Sequence, residues 1–263
     1  MKQKPLILVT NDDGIDSPGL AAAVRAALRV GDVVIAAPNE QQTAMGRAYP
    51  DRDDLGVIDT IMIDVGLKDT IEAYAVHGSP GYTAAYGIAE IAPRIKGRKP
   101  DITVSGINTG ANCGTSITSS GTIGAALESV DMKVPALAMS QEVLDYDNRW
   151  PDFPGLDYTS AEKATEYWLR YILENGMPRG VDVLNVNVPD TAIEPDDYMF
   201  TFLELHPYYK AQPVPERDWS KPYRIRFDSE FGDKDATEGS DIHTLQFKRK
   251  ISVTPLTIDM TRR

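Results

Sequence analysis

The sequence lacks the features of an exported or membrane-spanning protein. It contains a single cysteine, Cys113, so it cannot form an internal disulfide, and this usage is typical of a reducing compartment. No apolar run is long enough to cross a bilayer. The N-terminal stretch Met-Lys-Gln-Lys-Pro leads straight into a short apolar run, without the pattern of a signal peptide. We therefore expect a cytoplasmic protein that has no membrane partner.

Positive charge is scarce. The chain has 263 residues, of which 27 are lysine or arginine and 39 are aspartate or glutamate, so its formal net charge is -12 at pH 7. This balance argues against polymeric nucleic acid as a partner, because binding to nucleic acid relies on basic side chains at the phosphates. An anionic substrate would need a local positive field from a metal ion or from helix N-termini.

Strand and helix patterns alternate through most of the chain. Buried-strand patterns occupy residues 6–10, 33–37, 101–105, 135–139 and 183–188, and a hairpin pattern covers 56–65 and 70–77. Helix starts occur at Ser17-Pro18, at Ser79-Pro80, at Thr122 and at Thr159, where Glu162 completes a capping-box motif. The alternation predicts an α/β fold with a mostly parallel sheet and helices on both faces.

The pattern changes beyond residue 190. Strand-like runs at 198–205 and 223–228 are separated by a stretch rich in proline and aromatic residues, and a last strand pattern at 251–255 would rejoin the sheet. We predict one domain over residues 1–263. Its core covers about 1–190 plus 251–256, and a β-rich arm covers about 195–250.

The first strand pattern ends in Asn11-Asp12-Asp13-Gly14. Two adjacent carboxylates repel each other, and a divalent cation removes that repulsion by using their oxygens as ligands. Ligands of open parallel sheets bind at the carboxyl ends of the strands, where these residues lie. The same four residues are equally typical of a turn, so these residues alone leave both a turn and a metal site open. The spacing excludes an EF-hand, which needs ligands at alternating positions.

Two further polar segments follow predicted strands or precede helices. Residues 105–114 are rich in glycine and asparagine, and Asn108 and Asn112 offer amide groups to a metal ion or an anion, although a structural turn is the alternative. The segment matches neither a Walker loop nor a dinucleotide-binding fingerprint. Ser119-Ser120-Gly121-Thr122 precedes a helix, whose free N–H groups suit an anion, and simple capping by Ser120 is the alternative.

Together, these segments resemble in order and content the SurE family of survival proteins, which are metal-dependent 5′/3′-nucleotidases. The resemblance covers nearly the whole chain. Its motifs are Asn11-Asp12-Asp13-Gly14, Gly78-Ser79-Pro80, residues 104–108 with Asn112 and Gly114, Ser120-Gly121-Thr122, residues 185–189, Gly239-Ser240-Asp241 and residues 253–256.

The resemblance implies a three-layer α/β/α sandwich with one divalent metal ion per subunit, Mg²⁺ or Mn²⁺. It implies that Asp12, Asp13 and Asn108 are metal ligands, with Thr43 at the position where the family usually has a metal-binding serine. The implied phosphate-binding residues are Asn112, Ser120, Gly121 and Thr122, and the implied catalytic residues are Asp12, Asp13 and Asn112. The arm after residue 190 would form a homodimer or a dimer of dimers.

The predicted activity is hydrolysis of nucleoside 5′- or 3′-monophosphates by a metal-activated water, which releases nucleoside and phosphate. Three departures from the family pattern, Asn39-Glu40, Thr43-Ala44 and Ser119, keep open a nucleotide- or phosphate-binding regulatory protein with little turnover. Hydrolysis of polyphosphate or of another phosphoester is also open. The D-x-D spacing of haloacid-dehalogenase phosphatases is absent, and Cys113 has no neighbouring histidine, so neither is favoured as a nucleophile.

Four aromatic residues of the arm have two candidate roles. An oligomer interface is the favoured role over stacking on a nucleobase. These residues are Tyr208, Tyr209, Trp219 and Tyr223.

Overall fold

The computed structural model of the protein describes residues 3–144, 155–229, 232 and 235–261. The strands of its main sheet are β1 Leu6–Thr10, β2 Asp32–Pro38, β3 Ile58–Ile63, β4 Ile71–Val76, β5 Ile102–Thr109, β6 Ala136–Gln141, β7 Val183–Val188, β8 Tyr198–Phe200 and β11 Ile251–Leu256; β9 Lys210–Ala211 and β10 Phe227–Asp228 form a separate pair. The helices are α1 Pro18–Leu28, α2 Pro80–Tyr86, α3 Ala92–Lys96, α4 Gly121–Asp131, α5 Thr159–Asn175 and α6 Asp241–Gln246. Among the described residues, none of the helices is both long and apolar enough to span a bilayer.

The main sheet has the strand order β3-β4-β2-β1-β5-β6-β7-β11-β8. The run from β4 to β7 is parallel throughout. The hairpin partner β3 is antiparallel to β4, and the returning strand β11 is antiparallel to β7. The predicted mostly parallel α/β sheet is therefore confirmed, and the predicted hairpin, β3 with β4, forms one edge of it.

Helices cover both faces of the sheet. Because successive side chains of a strand point to opposite faces, β1 shows both layers. Ile7 packs in the same buried cluster as Trp168 of α5, and Leu8 packs in a different cluster with Ile88, in the helical turn between α2 and α3. One buried cluster therefore lies on each face of the sheet, between the sheet and a layer of helices, and the result is a three-layer α/β/α sandwich.

Serine side chains begin several of the helices. The hydroxyl oxygens of Ser17, Ser79 and Ser120 accept hydrogen bonds from the backbone N–H groups three residues later, at 3.1, 3.3 and 3.2 Å. The capping box predicted at Thr159 and Glu162 is wrong. Helix α5 starts from Tyr158, which gives no side-chain cap; the Thr159 hydroxyl donates to Asp157 instead. The Glu162 carboxylate forms ion pairs with Arg25 and Arg29 of the neighbouring helix.

Strand β5 is longer than its sequence pattern. The prediction ends at residue 105, whereas the strand continues to Thr109 with a register irregularity against β6 between Ser105 and Asn108. Gly106 makes this continuation possible: its φ is +134°, and a Cβ there would lie 2.2 Å from the Met139 carbonyl oxygen. The extension places Asn108 at the carboxyl edge of the sheet, beside the end of β1.

The segment predicted as an arm is only partly separate from the sheet. Strand β8 pairs with β11 at the sheet edge, and Asp241 of α6 accepts a hydrogen bond from the Gly114 N–H at 2.8 Å. By contrast, residues 212–227 are exposed, and the short strands β9 and β10 pair with each other. The domain boundaries stay a prediction.

The side chains of His77, Asp54 and Asp59 form a cluster that holds the long loop between β2 and β3 against the end of β4. The His77 ring nitrogens lie 2.6 Å from Asp54 Oδ2 and 2.9 Å from Asp59 Oδ2. The hydrogen bond to Asp54, and then the one to Asp59, raise the pKa of His77, while Arg52 and His77 lower the pKa of Asp54 to about 2. A protonated His77 therefore ties the loop to the sheet.

This cluster predicts a pH-dependent contribution to stability. Because the pKa of His77 is raised in the folded protein, its stabilising effect is complete below the unfolded value of about 6.5 and is lost as the pH rises through the folded value. We expect the wild type to exceed His77→Gln in Tm by more at about pH 5.5 than at about pH 8.5. Calorimetry tests this, with the exposed His206→Gln as control; an equal difference at both pH values would refute it.

Candidate metal and phosphate site

A tight turn presents the two carboxylates at the end of β1. The Asn11 side chain donates to the Gly14 carbonyl oxygen at 2.9 Å and to the Ser17 hydroxyl at 2.8 Å, and it accepts from the Gly14 N–H at 3.2 Å. Gly14 has a φ of +97°, which favours glycine. The turn interpretation of this motif is thus correct. It does not compete with a metal site, because the turn uses Asn11 and leaves the carboxylates of Asp12 and Asp13 for another partner.

Asp12 is buried against the start of α4. Its Oδ1 accepts a hydrogen bond of 2.6 Å from the Thr122 hydroxyl. Gly121 packs directly on it, since a Cβ at that position would lie 2.7 Å from the Asp12 Cβ and 2.8 Å from its Oδ2. The first turn of α4 therefore fixes the position of this carboxylate.

Asp13 connects the end of β1 to the end of β5. Its Oδ2 accepts a hydrogen bond of 2.8 Å from the Thr109 N–H. The neighbouring Asn108 donates its side-chain amide to the Gly110 carbonyl oxygen at 2.7 Å. That bond uses the amide nitrogen of Asn108, so its Oδ1 is the atom suited to a cation.

The electrostatics of this carboxylate pair favour a bound cation. Burial, and then the charge of Asp13, raise the pKa of Asp12 to about 7, and burial also raises the pKa of Asp13. No lysine or arginine of the described residues forms an ion pair with either carboxylate. A divalent cation supplies the missing positive charge, and carboxylate, amide and hydroxyl oxygens are the hard ligands that Mg²⁺ and Mn²⁺ prefer. The residues present therefore fit such an ion.

The four predicted metal ligands line one cleft of about 1450 Å³. Asp12, Asp13 and Asn108 lie at the floor of the cleft, because they stand at the ends of strands. Thr43 is exposed in a loop over this floor. Two backbone hydrogen bonds hold the loop in place, from the Gln42 N–H to the Asp12 carbonyl oxygen at 2.7 Å and from the Gly46 N–H to the Ser119 carbonyl oxygen at 2.9 Å. Over the described ranges there is no group of three or more histidine, cysteine, aspartate or glutamate side chains suited to a metal ion. A cation here would need the amide and hydroxyl oxygens as well.

Asn112 forms the centre of a buried network. Its Nδ2 donates to the Ser140 hydroxyl at 2.9 Å and to the Thr122 hydroxyl at 3.3 Å. Thr122 in turn donates to Asp12, so a chain of hydrogen bonds runs from β6 to the first carboxylate. Thr122 is fully buried, and its side chain supports Asp12 rather than facing the cleft.

Two asparagines of β7 complete this network, although no individual role was predicted for either of them. The Asn187 Oδ1 accepts from the Asn112 N–H at 2.7 Å, and the amides of Asn185 and Asn187 donate to the Asn112 carbonyl oxygen at 2.9 and 3.0 Å. The sequence signal for this role is the presence of two asparagines in an otherwise apolar strand pattern. A buried amide group needs hydrogen-bond partners, so such residues indicate a buried polar network.

Ser120 and Gly121 lie where α4 begins, and Ser120 also lines the cleft. Ser120 caps the helix through the Ile123 N–H, so the capping interpretation of this serine is correct. The first-turn N–H groups of a helix have no intrahelical partners and carry partial positive charge. An anion at this end of α4 would therefore lie next to the carboxylate pair, which places a cation site and an anion site side by side.

Comparisons with known proteins identify the family of this chain. A family model described as survival protein SurE matches residues 7–208, which include all the predicted site residues. The 5′-nucleotidase SurE of Methanocella arvoryzae is 38% identical over 263 residues, covering 97% of this chain and 92% of that protein. The 5′-nucleotidase SurE of Methanothrix thermoacetophila is 39% identical over 259 residues, covering 97% and 93%. The chain belongs to the SurE family.

The SurE fold is also found by structure comparison. The crystal structure of the SurE protein from Aquifex aeolicus matches with a TM-score of 0.74 and 26% sequence identity, covering 98% of this chain and 95% of that one. The family resemblance seen in the sequence and the three-layer SurE fold it implied are both confirmed.

The hydroxyl of Thr122 should matter in this SurE site through Asp12. Thr122→Val keeps the shape but removes the 2.6 Å hydrogen bond to Asp12. We expect kcat/KM for phosphate release to fall roughly 10–100-fold, as for loss of an outer-shell partner of a ligand. Thr122→Ser keeps the hydroxyl and should retain most of the activity in steady-state assays. Equal activity in Thr122→Val and wild type would show that the bond has no part in the reaction.

Proposed function

We propose that this SurE family member is a divalent-metal-dependent 5′-nucleotidase that hydrolyses nucleoside monophosphates to nucleoside and phosphate, with 3′-monophosphates as further substrates. The observation that carries the proposal is the carboxylate pair without a cationic partner at the floor of a cleft, next to the start of α4, with Asp12 buried and Asp13 half-buried. The SurE relatives of Methanocella arvoryzae and Methanothrix thermoacetophila are named 5′-nucleotidases, which supports the substrate class.

The proposed ligands of one Mg²⁺ or Mn²⁺ ion per subunit are Asp12, Asp13, Thr43 and Asn108. The bound ion would polarise a phosphoryl oxygen and lower the pKa of a water molecule. The chain keeps its two carboxylates in place with the Thr122 hydroxyl and the Thr109 N–H. These bonds stabilise the charged forms that ligation requires.

The phosphate group has a proposed place at the start of α4. The backbone N–H groups of Gly121 and Thr122 lie at the positive end of that helix and would bind phosphoryl oxygens, together with the Ser120 hydroxyl. Asn112 would join them by exchanging its 3.3 Å side-chain hydrogen bond to Thr122 for one to a phosphoryl oxygen. This positions the phosphorus for attack by a water oxygen in line with the ester bond. The new P–O bond forms as the ester P–O bond breaks, the attacking water loses a proton, and the leaving nucleoside oxygen gains one.

A panel of substrates tests the proposal. We expect phosphate release from nucleoside 5′-monophosphates, and more slowly from p-nitrophenyl phosphate, in the presence of Mg²⁺ or Mn²⁺. EDTA should lower the rate by about 10³-fold, because the carboxylates alone repel a phosphate dianion. Re-addition of the metal should restore the rate. Release that persists in EDTA, after exhaustive dialysis, would contradict the metal dependence.

The same panel separates the alternatives. Binding of a nucleotide by calorimetry without phosphate release under any metal would favour a regulatory nucleotide-binding protein, the function suggested by Asn39-Glu40, Thr43-Ala44 and Ser119. Phosphate release from polyphosphate in preference to nucleotides would favour the alternative of a phosphatase that acts on polyphosphate or another phosphoester.

We also propose that the protein is cytoplasmic and assembles through its arm into a homodimer or a dimer of dimers. The support for assembly is the exposed apolar surface of the arm, where Leu205 and Trp219 are 82% and 89% exposed. Large apolar side chains that are exposed in the single chain are typical of protein interfaces.

A further inference from the structure

The cleft has a second wall that the proposed chemistry does not use. Besides the carboxylate pair, the cleft is lined by the arm segment 223–229, together with Tyr209 and Gln212. The end of this segment forms β10, which pairs with β9 in antiparallel orientation. Next to this pair, the Gln212 N–H donates to the Arg226 carbonyl oxygen at 2.8 Å. The residues of this wall include two arginines, Arg224 and Arg226, and one aspartate, Asp228, so its formal charge is positive in a chain whose net charge is -12.

Many arginines of the described residues form ion pairs, and Arg224 and Arg226 do not. Arg25, Arg47 and Arg249, for example, each pair with a glutamate. In the part of the chain that the structure describes, Arg224 and Arg226 have no carboxylate partner and no side-chain hydrogen bond. Solvated arginines on an exposed segment are common. These two, however, line the same cleft as the predicted phosphate site, and a guanidinium group binds phosphate oxygens in a bidentate geometry.

The size of the cleft adds a second observation. Its volume of about 1450 Å³ exceeds the range of about 300–1,000 Å³ that is typical of pockets for small ligands. A nucleoside monophosphate with its phosphate at α4 would leave space on the side of the arm. The positive charge of Arg224 and Arg226 borders that space, so an anionic group suits it better than a neutral one.

We propose that Arg224 and Arg226 bind a second phosphate group on the leaving-group side of the substrate, so that nucleotides with two separate phosphates, such as nucleoside 3′,5′-bisphosphates, are preferred over monophosphates. This inference rests on the proposed nucleotidase function. In adenosine 3′,5′-bisphosphate the arginines would hold the 3′-phosphate while the 5′-phosphate lies at α4. Water then adds to the 5′-phosphorus, the 5′ ester P–O bond breaks, and the products are adenosine 3′-phosphate and inorganic phosphate.

The test compares kcat/KM for adenosine 3′,5′-bisphosphate, AMP and p-nitrophenyl phosphate in the full-length protein with Mg²⁺ or Mn²⁺. In the wild type we expect a bisphosphate-to-AMP ratio of at least about ten, with adenosine 3′-phosphate as the first product by chromatography. In Arg224→Gln/Arg226→Gln the ratio should fall about tenfold or more, because the charged hydrogen bonds to the second phosphate are lost. The rate with p-nitrophenyl phosphate should not change.

Two further variants control the experiment. Lys96→Gln removes one positive charge from an exposed position at the end of α3 and should leave the ratio unchanged. Arg224→Lys/Arg226→Lys keeps the charge and should recover part of the preference. An unchanged ratio in the double glutamine variant, or an equal loss with all three substrates, would overturn this inference while hydrolysis of AMP still upheld the nucleotidase. Absence of release from every substrate in the wild type would overturn the proposed function itself.

Discussion

Asp12→Asn should reduce phosphate release from nucleoside monophosphates by about 10³-fold, which corresponds to roughly 4 kcal/mol of transition-state stabilisation. The substitution removes one of the two carboxylates from the cleft floor but keeps the shape of the side chain and its acceptor for the Thr122 hydroxyl. The measurement is kcat/KM with saturating Mg²⁺ or Mn²⁺.

The stability of this variant separates loss of the metal site from misfolding. Burial and the charge of Asp13 raise the pKa of Asp12 to about 7, so a charged Asp12 destabilises the metal-free protein above that pH. We therefore expect Asp12→Asn without metal to have a Tm at about pH 8 equal to or above that of the wild type. Addition of Mg²⁺ or Mn²⁺ should raise the Tm of the wild type and not that of the variant.

The matched control for Asp12 is Asp16→Asn. Asp16 is exposed, lies outside the cleft and loses the same charge. It should keep the wild-type rate and the metal-induced rise in Tm. Substantial activity in Asp12→Asn, together with a normal response to metal, would show that Asp12 is not a ligand.

Gly124→Ala should be strongly destabilising although it adds a single methyl group. A Cβ on this residue of α4 would lie 2.2 Å from the Gly46 carbonyl oxygen and 2.4 Å from the Gly46 carbonyl carbon. Since those are backbone atoms, relief requires movement of α4 or of the loop that carries Thr43. We expect a loss of about 2–3 kcal/mol in the free energy of unfolding and a Tm lowered by roughly 5–10 °C. The same displacement should raise KM for nucleotides, because the loop borders the cleft.

Gly81→Ala in α2 is the control for this prediction. Its nearest neighbour would be the Ala48 carbonyl oxygen at 3.7 Å, an ordinary contact. Alanine is the better helix former by about 1 kcal/mol, so Gly81→Ala should leave the Tm unchanged or raise it. Thermal unfolding of both variants decides the matter: a Tm for Gly124→Ala at or above the wild type would mean that the close packing of α4 on Gly46 is absent in solution.

Local sequence patterns predicted most elements of the core and missed those that depend on packing. The run at 6–10 and the serine at position 17 lead to β1 and α1, because both are set by side chains within a few residues. The capping box at Thr159 failed because the Glu162 carboxylate instead forms ion pairs with Arg25 of α1 and with Arg29, the residue that follows α1. The extension of β5 to Thr109 was missed because glycine and asparagine are poor strand formers, and only the neighbouring strand β6 supplies the pairing.

The same division applies to the site. The sequence by itself determined the turn at Asn11, the carboxylate pair and the serine cap of α4, since each depends on residues adjacent in the chain. Only the tertiary structure decided that Thr122 and Asn112 support Asp12, and that Arg224 and Arg226 face the same cleft from the arm. Hydrogen bonds and charges between residues far apart in sequence leave no local pattern, because their geometry exists only after the sheet and the arm have come together.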